Sequence, residues 1–130
     1  MKIYRILTLT FLPLTLLAQD LKCCESVKEI ETYLSGYWKK KDSELNRQYR
    51  YEFNDGVGSF VIFETSENGD LVEVENNLLV INILKTSKGF EIEHVFDIVK
   101  TYTVIKHLDS NKLIVTRKDG AETEYYKIIE

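Results

Sequence analysis

Along the chain, hydrophobic periodicity changes once and does not change back. Val27, Ile30, Tyr33 and Leu34 recur at helical spacing. Before them Ser26-Val27-Lys28-Glu29 forms a capping box, and after them Gly36 supplies a stop signal. The spacing predicts one short helix from Val27 to Leu34. From Gly36 onward the period is two. Tyr49, Tyr51 and Phe53 alternate with Gln48, Arg50 and Glu52, and Phe90, Ile92, His94 and Phe96 alternate with Glu91, Glu93 and Val95. Further β-rich segments run over Tyr37–Lys41, Ser59–Glu64, Leu71–Glu75, Leu78–Lys85, Val99–His107, Lys112–Lys118 and Thr123–Ile129. Turn signals separate them: Asn54-Asp55-Gly56, Asn68-Gly69, Asn76-Asn77, Ser87-Lys88-Gly89, Asp109-Ser110-Asn111 and Asp119-Gly120.

About nine strands joined by short turns, without intervening helices, mean an antiparallel meander. A long meander most simply avoids exposed edges by closing on itself. The expected fold is therefore all-β: an up-and-down barrel of eight or nine strands, preceded by one short α-helix. A two-sheet sandwich is the alternative. No linker or internal repeat divides residues 19–130, which read as a single domain.

The residues ahead of that domain have a different character. Lys2 and Arg5 form a short positive region, Ile6 to Leu17 carries no charge over 12 residues, and Ala18 offers a small residue for cleavage. Residues 1–18 thus read as a signal peptide, too short to span a bilayer and interrupted by Pro13. The protein is expected to be exported, to a periplasm or outside the cell, and not to span a membrane once the leader is removed.

Charge narrows the partners. The chain holds 17 Lys+Arg against 21 Asp+Glu, a formal charge of −4; without residues 1–18 it becomes −6. A mildly acidic domain with no basic block argues against nucleic acid and anionic membrane as main partners. One Pro, six Gly and 12 % aromatics exclude a low-complexity chain. The only two cysteines, Cys23 and Cys24, are adjacent. In an oxidising compartment they can close a vicinal ring, bridge two chains, react with small thiols or have no specific role.

Gly36-Tyr37-Trp38, where a helix runs into the first strand of a meander, resembles the lipocalin and lipocalin-like (calycin) barrels. The chain lacks the Thr-Asp-Tyr element of typical lipocalins, so the likeness is to a small lipocalin-like domain of exported bacterial proteins. The resemblance implies that Trp38 closes the barrel's base and that an Arg from a late strand packs across its indole. Arg117 stands where such a residue is expected.

Signatures of catalysis are missing from the sequence: there is no Gly-x-Ser-x-Gly elbow, phosphate loop or His-Glu-x-x-His. No ligand spacing supports a metal site, and no cofactor is expected. The chain reads as a non-enzyme. The best candidate lining for a ligand is the aromatic set Tyr49, Tyr51 and Phe53, joined by Phe60, Ile62 and Tyr102, with His94 as a polar group among apolar neighbours. An eight-stranded barrel is just wide enough to be filled by side chains or to hold one small ligand. Two functions follow. One is a barrel binding a small hydrophobic or amphipathic molecule in its lumen. The other is a packed barrel acting on a protein partner, as an inhibitor or assembly partner.

Overall fold

The computed structural model describes residues 21–44, 46–54, 57–74 and 79–128. The expected leader, the Asp55-Gly56 part of the first turn and Asn76-Asn77 lie outside the described residues.

The helix α1 spans Val27–Leu34, and its start is built as the capping box requires. Ser26 Oγ accepts from the Glu29 N–H at 3.2 Å, and Glu29 Oε1 accepts from the Ser26 hydroxyl at 3.1 Å and the Glu25 N–H at 3.3 Å. These bonds satisfy donors that the first helical turn leaves free. The helix ends at Ser35, and Gly36 turns the chain into the first strand with φ +126°, a backbone state open to glycine at little cost.

Among the described residues nine strands follow: β1 Gly36–Lys40, β2 Arg47–Asn54, β3 Val57–Thr65, β4 Leu71–Glu73, β5 Leu79–Thr86, β6 Gly89–Phe96, β7 Val99–Leu108, β8 Lys112–Arg117 and β9 Glu122–Lys127. All pairings are antiparallel. β1 pairs with both β2 and β9, which closes the sheet into a barrel and excludes the sandwich. Eight strands make the wall. The remaining strand, β4, lies on the far half of β3, opposite Phe63–Thr65, while β5 takes the near half, opposite Gly58–Phe60. β3 is long enough to serve two partners in turn.

Strand parity sorts side chains cleanly. Trp38 opposes Tyr49, Tyr51 opposes Phe60, Ile83 opposes Ile92 and Leu113 opposes Tyr125, all directed inward. One irregularity between Ile105 and His107 resets the alternation of β7, so that Ile105 and Leu108 both face in.

The core fills the end of the barrel that α1 closes. Ile30 and Leu34 are fully buried there, with Trp38, Ile81, Ile92 and Leu113. Trp38 Nε1 donates to the Leu34 carbonyl oxygen at 2.7 Å, which ties the first strand to a carbonyl the helix end leaves free. Of the alternatives for the cysteines, the vicinal ring is the one present: Cys23 and Cys24 are bonded to each other, and Cys24 packs into the core beside Leu21.

Candidate functional site

Above this solid floor the interior changes character. Tyr49, Phe60, His94 and Tyr125 all point inward by register, yet each is only half-buried. Their rings form one cluster. Tyr49 stacks on Phe60 with centroids 5.7 Å apart and planes 7° from parallel. Tyr125 meets Tyr49 edge-on at 5.6 Å, and His94 meets Phe60 edge-on at 5.8 Å. Tyr51, buried beneath, touches Phe60 at 4.9 Å. Offset and edge-to-face contacts of this kind align ring edges with ring faces and fix the rings in place. The result is a partly exposed cluster of rings, termed the aromatic cup, at the barrel end opposite α1.

The cup's polar atoms are neutral hydrogen-bonding groups. Burial raises the Tyr51 hydroxyl's pKa, with the neighbouring Tyr125 and Tyr49 adding to the effect. Burial likewise raises that of Tyr125. Burial lowers that of His94, so the imidazole is uncharged at neutral pH. Thr103, inward-facing opposite Ile92, holds a buried Oγ1 with no hydrogen-bond partner among the described residues. At the rim, Lys40 shares the inward parity of Tyr125, its register partner.

His94 makes stability depend on pH with a defined sign. Its folded pKa lies below the ordinary 6.5, so the unfolded chain binds the proton more readily. The stabilisation is fully present above the unfolded value and is lost as pH falls toward the folded one. We expect the denaturation midpoint to drop as pH is lowered from about 7 to about 5.5, and His94→Gln to flatten that slope. An unchanged slope in the variant would show that the ring is not held neutral by burial. Glu93 and Asp109, both shifted down, contribute only at lower pH. For Glu93 the hydrogen bond from Asn82 leads, and for Asp109 the contact with His107 does.

Of the expected lining, Tyr49, Phe60 and His94 meet in the cup, Tyr51 lies under it, and Ile62 opposes Tyr49 on its wall. Phe53 faces inward but opposes Gly58, two positions farther from the cup than Tyr51. Tyr102 is a correction. It opposes Glu93 on the outer face, 43 % exposed, because the inward series of β7 is Thr101, Thr103 and Ile105. Arg117 is a second correction. Its guanidinium pairs with Asp119 at 3.3 Å, at an exposed turn. The cation over Trp38 is Lys127, 5.3 Å from the ring, whose Nζ also donates to the Tyr33 carbonyl oxygen at 3.0 Å. Burial lowers the pKa of Lys127. Lys127 directly opposes Trp38 in the β1–β9 register, so geometry rather than residue type selects it. Tyr125 was not among the expected residues. Its signal was the alternation Thr123, Tyr125, Lys127, obscured by the adjacent Tyr126.

Among the described residues, no group of three or more His, Cys, Asp and Glu could hold a metal ion, and no helix is long and apolar enough to cross a membrane. No model of a known protein family matches the chain, and no curated protein matches it significantly.

Proposed function

We propose that this protein is an exported lipocalin-like barrel that holds a small hydrophobic or amphipathic molecule in the aromatic cup. One observation carries the reading: four inward-facing side chains, Tyr49, Phe60, His94 and Tyr125, remain partly exposed above a fully buried floor. Rigid rings with a few neutral polar atoms are what small-molecule sites are usually made of. Flat or aliphatic bodies fit against Tyr49 and Phe60, while tyrosine hydroxyls and the imidazole are available to one polar group. The charge and apolar pattern of residues 1–18 supports export, and Gly36-Tyr37-Trp38 at the helix-to-barrel junction supports the lipocalin-like assignment.

Titration with an environment-sensitive lipophilic dye and with a fatty acid tests this. We expect one-to-one binding in the micromolar range, about −8 kcal/mol. Phe60→Trp should reduce affinity by about tenfold by filling the cup, without lowering the melting temperature by more than a few degrees. Failure of acyl chains, retinoid-like molecules and dyes to bind the folded protein would overturn the reading.

The alternative, a barrel acting on a protein partner, draws on a different feature. The β6–β7 hairpin carries Phe96, Ile98 and Val99 at its tip, with Ile98 88 % exposed. Apolar side chains grouped at an exposed tip are a recurrent mark of interaction surfaces. If no small molecule binds, this hairpin is the place to substitute.

A further inference from the structure

A second concavity opens where β7 runs past the end of β8, and it reaches the inward-facing Thr101 and Thr103 as well as the outer wall. It lies over β6, β7 and β8, encloses about 870 Å³, and has Tyr102, Val104 and Thr116 among its lining residues. Its charges are unlike those of the chain as a whole. Lys88, Lys100, Arg117 and Lys118 line it against only Glu91 and Asp119, on a protein of net charge −4. The local field therefore favours an anion.

Tyr102 is fixed in a particular way. Its hydroxyl donates to Glu93 Oε2 at 2.9 Å, while Glu93 Oε1 accepts from Asn82 Nδ2 at 2.9 Å. Both oxygens of this carboxylate, which is only 9 % exposed, are thereby used. The bond to Glu93 also raises the Tyr102 pKa. With its hydroxyl engaged by the wall, Tyr102 has its ring surface to offer a ligand. The backbone beneath is paired on both sides along β6, while residues 99–102 of β7 pair with β6 alone, so the acidic-peptide arm of the test addresses that short stretch. What remains is a ring face, hydroxyl and carboxylate acceptors from Thr116 and Glu91, and surrounding cations.

We infer that this groove binds an anionic oligosaccharide of the uronic-acid type. A pyranose ring presents a face of polarised C–H bonds, which are attracted to the negative face of an aromatic ring. Its hydroxyls match Glu91 and Thr116, and its carboxylates match Lys100 and Lys118 by charge-assisted hydrogen bonds. A groove of this volume is within the size range of ordinary small-ligand sites. The inference does not depend on the cup.

The test is calorimetric titration of the full chain with a galacturonic acid tetramer, maltotetraose and a short polyglutamate peptide. We expect the uronate to bind at least about tenfold more tightly than the neutral sugar, and to weaken by a similar factor in about 0.5 M NaCl. Tyr102→Ala and the double variant Lys100→Glu, Lys118→Glu should each abolish uronate binding. The lysine positions are exposed, so the double variant is expected to keep the parent melting temperature and remains informative should Tyr102→Ala fail to fold. Dye binding in the cup should be unaffected by the lysine changes, which separates the two sites. Equal affinity for uronate and maltotetraose would overturn the inference, as would no binding of uronate. Polyglutamate binding as tightly as uronate would overturn it in favour of an acidic peptide partner.

Discussion

Replacing Trp38 with alanine is expected to destabilise the barrel by about 3–5 kcal/mol, the range for truncating a buried large aromatic. Several losses coincide at this position. The indole is 0 % exposed, so its removal leaves a cavity in the layer where α1, β1, β2 and β9 meet. The Leu34 carbonyl oxygen loses the Nε1 donor, and an unpaired buried acceptor costs about 1–3 kcal/mol more unless water reaches it. Lys127 loses the ring beneath its ammonium and keeps only the Tyr33 carbonyl. Total domain stabilities are typically ~5–15 kcal/mol, so this one change can remove much of the folding free energy. A denaturant series on the parent, Trp38→Ala and Trp38→Phe checks it. The phenylalanine variant should recover most of the packing and isolate the lost hydrogen bond. A midpoint for Trp38→Ala within error of the parent would show that this residue does not seal the base.

Gly58→Ala should cost on the order of 1–3 kcal/mol although it adds a single methyl group, because the site is already in contact on every side. A Cβ built at Gly58 would stand 2.6 Å from Ile81 Cγ1, 2.7 Å from Phe53 Cε1 and 2.8 Å from the Ile81 carbonyl oxygen. The two side chains can turn aside. The carbonyl oxygen cannot, because it belongs to β5 at the position paired with Gly58 itself. A glycine within a strand often marks such a close approach. Elsewhere alanine in place of glycine stabilises by restricting the unfolded chain, so the sign of this change is diagnostic. At about 4–8 °C per kcal/mol for a domain of roughly this size, the melting temperature should fall by several degrees or more. An unchanged or raised value would mean that β3 and β5 leave room for a side chain at this point.

The alternation of strand residues carried a good deal of this structure. It placed His94 with Phe90 and Ile92 against Glu91 and Glu93, the division of faces that β6 adopts. Parity fails where side-chain size and polarity disagree. On β7 the apolar-looking series Tyr102 and Val104 faces out, and Thr101 and Thr103 face in with Ile105. Tyr102 can face out because the Glu93 carboxylate receives its hydroxyl, a cross-strand contact invisible in either strand's own sequence. The one-residue irregularity between Ile105 and His107 adds a shift that no period of two predicts.

By itself, then, the sequence determined those features that arise from near neighbours: the capped helix, the strand segments, the turns whose residues are described, and the faces of β2 and β6. Each rests on interactions within a few residues, where φ/ψ preference and local hydrogen bonding act directly. Tertiary structure alone decided which strand, β4, stays outside the closed ring, that Lys127 rather than Arg117 covers Trp38, and that Tyr125 joins the cup. Those outcomes depend on the stagger between strands once the barrel shuts. Stagger follows from closing the whole sheet, with strand tilt, strand number and register satisfied together, and no single segment encodes it.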